Sequence, residues 1–390
     1  MAKSWTVQTA YTLDDYPLTL GEEFWATQKM NGVRATLYNG ALIGRSGTEY
    51  TGLDHILNSL TDIVQQLDIV LDGELVLKDA YQYKDIRSDF SSNICAGRGH
   101  QALMSHLVMR PELISHYPEP EAWSLEGMIA DEEGISPANV IVTNGATEAI
   151  YLIAQALPLR PHIPRPTFSE YEGACNMYPA TDEAHTMLWL CNPNNPTGDV
   201  YDPSVIDRLM QAYDLVVVDQ SYEHYTDAYV MESRWAVRHQ NLIQIHSFTK
   251  TYGVPGLRLG YITAHKTLAD HLRQFLRPWS VSAMAVEAGK FLLRHADLRC
   301  APDLNEAQRL REQLQRIDGI LTQSTRTNFI LCQLETGSAA RLKDILANEY
   351  HLLIRDASNF RGLTQRHFRV AAQSPAENDA LVKAIKEIEH

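Results

Sequence analysis

Lys250 lies in the stretch LIQIHSFTKTYGVPGLRLGY (242–261), between an apolar run and a loop punctuated by glycine and proline. Ser247 precedes it by three residues and Arg258 follows it by eight. A lysine on its own reads as a solvated surface charge. At this spacing, an amine, a hydroxyl and a planar guanidinium suit a nucleophilic lysine beside a bound phosphate.

Other segments carry polar residues at the end of an apolar run. In VIVTNGATEAI (140–150) the chain passes from strand to helix through Gly145, Ala146 and Thr147, which presents backbone N–H groups and a hydroxyl to an anion, or simply connects two elements. In LVVVDQSYEHY (215–225) Asp219 follows four apolar residues, where a carboxylate is costly unless a cation such as a protonated ring nitrogen pairs with it. It also reads as a cap on the next helix. Tyr222 stands three residues on. The turn CNPNNPTG (191–198) offers the Asn195 amide, or is an Asn-Pro turn and nothing more. Near the C-terminus, LLIRDASNFRGLTQRHFRVAAQ (352–373) holds Arg355 and Arg369, fourteen apart, whose planar forks suit carboxylate or phosphate; Arg369 sits in an apolar strand pattern.

The elements that must position these groups follow from the rhythm of the chain. From about Pro120 onward, short apolar strands alternate with helices, which predicts an α/β fold with a mostly parallel sheet and ligands at the carboxyl ends of its strands. After Pro278 the helices lengthen and alternate with FILCQL and HFRVAA, predicting a smaller C-terminal α/β unit over 278–390, beside a larger one over 79–277. Before residue 79 the segments ATLYNGALIGR and DIVLDGELVL read as strands and hairpins, with Asn39-Gly40 at a turn, so residues 1–78 form a β-rich opening unit.

Composition narrows the partners. The formal net charge of −14 argues against general affinity for nucleic-acid backbones or anionic membranes and favours small-molecule chemistry. The five cysteines (Cys95, Cys175, Cys191, Cys300 and Cys332) are scattered and lack a Cys-x-x-Cys pair, so they read as reduced, structural thiols. The start, MAKSWTVQTAYTLDDY, lacks the apolar core of a signal peptide, and no run approaches the roughly 20 residues of a membrane span, which points to the cytoplasm.

Together these residues supply what a pyridoxal-phosphate site needs: a grip on the phosphate, a carboxylate for the ring nitrogen and an amine; no metal is required. In residue type, order and spacing the chain resembles the class I/II aminotransferase superfamily of fold-type-I pyridoxal-phosphate enzymes. The resemblance implies that Lys250 forms the Schiff base and that Asp219, Tyr222, Asn195, Ser247 and Arg258 bind or activate the cofactor, with Gly145, Ala146 and Thr147 at its phosphate. It implies that Phe168, in RPTFSEYEG, stacks on the pyridine ring and that Arg369, with Arg355, grips the substrate. Tyr117, in HYPEPEA, is similar to a tyrosine that reaches the phosphate of a neighbouring subunit, which implies a homodimer. The segments DFSSNI, HYPEPEA and the Arg355/Arg369 stretch resemble histidinol-phosphate aminotransferases and threonine-phosphate decarboxylases, so a phosphorylated amino acid or amine is the expected substrate.

A second resemblance covers residues 24–78. Lys29, Gly32 and Arg34, then Arg45-Ser46-Gly47, then Asp72-Gly73-Glu74 are similar to the nucleotidyltransferase motifs of ATP-dependent DNA ligases, in which the lysine becomes adenylated. The family's aspartate after that lysine is replaced by Asn31, and the later motifs have no place before the aminotransferase pattern begins. The opening unit therefore reads as an incomplete, vestigial ligase-like fragment joined by natural fusion, chimera or gene-model error. Two alternatives to a pyridoxal-phosphate enzyme follow: an adenylating nucleotidyltransferase using Lys29, and a non-catalytic protein that keeps the cofactor fold.

Overall fold

The computed structural model describes residues 85–94 and 100–389, together with three strands between residues 33 and 75. The chain divides into two compact units, Met1–Gln82 and Tyr83–His390. In the first, Val33–Tyr38 pairs antiparallel with Ala41–Gly44 on one side and with Leu71–Leu75 on the other, Arg34 standing opposite Glu74. Lys29 and Arg45-Ser46-Gly47 lie outside the described residues.

The second unit is built on a six-stranded sheet in the order Val140–Thr143, Gly260–Ala264, Leu242–Ser247, Leu215–Asp219, Asp182–Cys191, Leu159–His162. Gly260–Ala264 is antiparallel to both neighbours, while the remaining pairings are parallel. Five strands therefore end, and Gly260–Ala264 begins, at one edge of the sheet. Runs such as VIVT and LVVVD are buried throughout because helices cover both faces. On one face Gly145–Ala156, Glu170–Met177 and Lys266–Arg273 pack Ile150, Ile153, Ala174 and Leu272 against Val217, Ile243 and Ile245. On the other, Trp123–Glu133 and Ala283–Arg294 pack Leu125, Ile129 and Val286 against Val140 and Val142. Prolines and side-chain caps set where helices begin: Asp202 accepts from the Ser204 N–H at 2.9 Å just ahead of Pro203, and the Ser282 hydroxyl accepts from Ala285 N–H at 3.2 Å.

A second sheet, antiparallel, orders Ile320–Thr322, Phe329–Leu334, His367–Ala371 and Arg355–Asp356. It packs on Leu304–Gln315, Ala339–Glu349 and Pro375–Glu389 through Leu310, Leu346, Phe368 and Leu381. The segment 85–94, grouped with the larger unit from the sequence, forms a parallel ladder of Ser88–Asp89 with Leu352–Leu353, and Phe90 is buried in this second core. Among the described residues no helix is long and apolar enough to cross a membrane.

One close approach fixes the geometry at the sheet edge. A side chain at Gly260 would bring a Cβ to 2.7 Å from the Ala146 nitrogen and 2.8 Å from the His246 carbonyl oxygen, so only glycine lets the first turn of Gly145–Ala156 settle against the strand.

Candidate active site

At that edge the two sheets and the 85–94 segment meet. Asp219 ends its strand and is 3% exposed. Its Oδ2 accepts from the Tyr171 hydroxyl at 2.7 Å and its Oδ1 from the Ser221 N–H at 2.9 Å. Burial raises the carboxyl's affinity for a proton, while the hydrogen bonds from Ser221 and Tyr171 and the charge of His246 oppose it. Burial and the neighbouring carboxylate in turn hold the Tyr171 hydroxyl protonated, and burial pushes the Cys191 thiol up to about 12. A desolvated carboxylate held by neutral donors fits a protonated pyridine nitrogen.

Lys250 is half-buried on the single turn Phe248–Thr251 that follows Leu242–Ser247. Its Nζ donates to the Ser92 carbonyl at 3.0 Å and stands 5.4 Å from the centre of the Tyr222 ring. The Tyr225 hydroxyl donates to the Lys250 carbonyl at 3.1 Å, which ties the turn after Asp219 to the lysine's backbone.

Gly145 opens the helix Gly145–Ala156 at a φ of 81°, and a Cβ there would stand 2.7 Å from Arg258 Nη2. The absent side chain thus lets the guanidinium lie against Gly145, where the helix begins. Arg258 itself holds a left-handed φ of 53°, and its Nη1 donates to the Pro255 carbonyl at 3.2 Å. Ser247 is buried at the end of the neighbouring strand, directly opposite Gly260. A cation, a hydroxyl and a helix N-terminus around a glycine cradle fit a phosphate dianion.

Arg369, 4% exposed, donates through Nη1 to Asn195 Oδ1 and through Nη2 to the Ser91 carbonyl; its Nε has no protein partner. Burial pulls its guanidinium down to about 10, with Arg355 adding to the fall, so it stays charged at neutral pH. Arg355 is its direct partner across the strand pair, donates to Asn359 Oδ1 at 3.1 Å and faces the Phe360 ring at 5.8 Å. Two like charges opposed on adjacent strands repel unless an anion lies between them. Phe168 packs on the core beside the site, 5.8 Å from the Tyr171 ring in an edge-on contact.

Tyr117 does not join this group. It is 88% exposed, its ring 5.9 Å from Trp279. Tyr171 and Asn93 were not singled out from the sequence. Tyr171 lies three residues after Phe168 in the same motif, in the first turn of Glu170–Met177, and that nearness is the signal that could have found it. Asn93 is fully buried at a φ of 50° with both amide atoms lacking protein partners, and only its place in DFSSNI marks it.

Residues 179–385 match the family "Aminotransferase class I and II". The chain belongs to that family, and its α/β fold, with a mostly parallel sheet and a smaller C-terminal unit, is the one expected from the sequence. Within the family, it is similar to the crystal structure of L-threonine-O-3-phosphate decarboxylase from Porphyromonas gingivalis: 37% identity and a TM-score of 0.74 over 77% of this chain and 99% of that one. It is 29% identical over 307 residues to a histidinol-phosphate aminotransferase of Caldanaerobacter subterraneus, covering 70% of this chain and 85% of the relative. It is 27% identical over 331 residues to the threonine-phosphate decarboxylase of Salmonella typhimurium, covering 77% and 90%.

One buried ion pair beside the site gives stability a pH dependence. Burial lowers the proton affinity of His246, but the Glu223 carboxylate at 3.0 Å outweighs it and raises its ionisation above the ordinary imidazole value. Its contribution is complete below the unfolded imidazole value and is lost as pH rises through the folded one. Unfolding free energy from urea titrations is expected to fall from neutral toward alkaline pH, and that slope should flatten in His246→Gln; an equal slope in both proteins contradicts the assignment.

Proposed function

We propose that this chain is a pyridoxal-phosphate-dependent enzyme acting on a small phosphorylated amino acid or amine. The observation that carries the proposal is the convergence of Lys250, Asp219 and Arg369 at one sheet edge, held there by Ser92, Tyr171, Asn195 and Ser91. When bound, the cofactor supplies an electron sink for the bonds at the substrate Cα. Asp219 would hold the proton on the ring nitrogen, while Asn195 and Tyr222 would bond the ring oxygen. Gly145, Ala146, Thr147, Ser247 and Arg258 hold the cofactor phosphate, and Phe168 covers the ring. Arg369 takes the substrate carboxylate through its unpartnered Nε, and Arg355 takes the second anionic group.

Lys250 would hold the cofactor through its amine and, once released from it, would supply the base for proton transfer at Cα. For transamination Lys250 would carry a proton to and from Cα; for decarboxylation Arg369 and Arg355 would hold the substrate so that its carboxylate is the group released from Cα. The 37% identity to a threonine-phosphate decarboxylase favours the second course, with amino transfer of the histidinol-phosphate type as the alternative.

Borohydride reduction of the cofactor-loaded protein is expected to leave a phosphopyridoxyl group on the peptide carrying Lys250, found by mass spectrometry and lost in Lys250→Ala. Failure of the wild type to bind pyridoxal phosphate sinks the proposal. Carbon dioxide release from threonine phosphate, against amino transfer to a keto acid, separates the two courses.

We also propose a homodimer. Met104, Val108, Met109, Ile114, Tyr117 and Trp279 are large apolar side chains left half or more exposed on neighbouring elements, more than single scattered residues on a soluble surface. The exposed Tyr117 would then serve the phosphate of the other copy. Sedimentation velocity should give about twice the 44.0 kDa chain mass, shifting toward monomer in Met109→Asp/Ile114→Asp; a monomeric wild type refutes the dimer.

For residues 24–78 the ligase-like resemblance remains a separate proposal, supported by the pairing of the strand holding Asp72-Gly73-Glu74 with Val33–Leu37. Labelled ATP is expected to leave no covalent adenylate, given Asn31; a label lost in Lys29→Ala would show an active nucleotidyltransferase instead.

A further inference from the structure

The face of the sheet opposite Asp219 holds a buried polar cluster that the proposed chemistry does not use. Asp219 pairs directly with Ile245, so His246, the next residue, turns to the other face. There its Nδ1 meets the two Glu223 carboxylate oxygens at 3.0 and 3.2 Å, and its Nε2 meets Thr263 Oγ1 at 3.1 Å. The ring stacks on Tyr261 at 4.4 Å and 11°, and the His246 and Glu223 side chains are 2% and 15% exposed. Every packed element contributes to this setting. Tyr261 donates to Glu133 at 3.2 Å, His224 stands 3.9 Å from Glu223, and Gln220 donates to Glu223 at 3.4 Å while accepting from Gln244 at 2.5 Å.

The cluster is fastened to the catalytic edge through the backbone. Gln220 N–H donates to the Ile245 carbonyl at 2.8 Å, Glu223 directly follows Tyr222, and His246 directly precedes Ser247. Asp219, by contrast, is buried, which favours proton uptake, and its hydrogen bonds from Tyr171 and Ser221, which favour the ion, come from neutral donors that bring no countercharge.

We propose that His246, held as an imidazolium by Glu223, is a positioning residue for Asp219: its positive charge behind the strand keeps the Asp219 carboxylate ionised and ready for the ring nitrogen. The inference rests on the pyridoxal-phosphate reading above. Burial of His246 and Glu223 keeps water from screening the charge, so its effect reaches across one strand. Glutamine at 246 would preserve hydrogen bonding and remove the charge; arginine would keep the charge.

The test titrates the cofactor-free full chain with pyridoxal phosphate and with its analogue in which the ring nitrogen is replaced by CH, following tryptophan fluorescence. His246→Gln is expected to weaken pyridoxal phosphate about tenfold, the scale of a single charge interaction, and to leave the analogue's affinity unchanged. His246→Arg should restore pyridoxal phosphate binding, and the isosteric Glu223→Gln, which releases the imidazolium, should show the same selective loss as His246→Gln. Equal losses for both ligands, or no loss for either, would overturn the inference while leaving the cofactor reading intact. A wild type that binds the analogue and pyridoxal phosphate equally well would also overturn it, and one that binds neither overturns the cofactor reading itself.

Discussion

A carboxylate buried at the end of a strand is the constraint on which this site depends. Asp219 is almost without solvent, and an isolated ion there would be unstable by several kcal/mol. The surroundings answer that demand from three directions: the Tyr171 hydroxyl from the helix above, the Ser221 N–H from the turn that follows, and the imidazolium of His246 from behind. None of these is a strong ion pair. The position is therefore poised for a further cation, which is what a protonated heterocycle supplies.

The remaining groups are placed by the direction of the strands. Because Gly260–Ala264 runs against its neighbours, Arg258 just ahead of it arrives at the edge where Thr143, Ser247 and Asp219 end. Glycines at 145 and 260 then allow the helix and the guanidinium to crowd the same small space. The second sheet is joined to this edge by a small buried apolar cluster of Tyr222, Tyr225, Phe329 and Ala371 and by polar contacts. Arg369 bonds Asn195 and Ser91, and Lys250 bonds Ser92, so a main-chain segment from residues 85–94 lies between Lys250 and Arg369. Groups that bond carbonyls in this way can exchange them for a ligand at modest expense in hydrogen bonds.

Much of this was legible in the residues alone. The alternation of apolar strands with helices, the glycine turn at 145 and the spacing of Ser247, Lys250 and Arg258 are local patterns, and they point to the fold class and to the residues proposed for the site. Tyr171 escaped because a tyrosine on an amphipathic helix reads as core, and nothing local says that its hydroxyl ends 2.7 Å from a carboxylate 48 residues on. Asn93 escaped for a different reason: what sets it apart is full burial without a protein partner for its amide, and burial is a property of the assembled chain. The 85–94 segment likewise packs on the second core because Ser88–Asp89 pairs with Leu352–Leu353, 264 residues away, as a separate two-stranded ladder.

The sequence by itself determined the chemistry available: which side chains are nucleophiles, cations or carboxylates, and on which strand ends they fall, since strand period and turn residues are encoded within a few positions. Tertiary structure alone decided which of them meet. Arg369 reaches Asn195 across 174 residues, His246 is turned away from Asp219 by the strand pleat, and Tyr117 is left on the surface rather than in its own site. Those outcomes depend on strand register and on burial, which are set by packing between distant segments and have no signature in any short stretch of the chain.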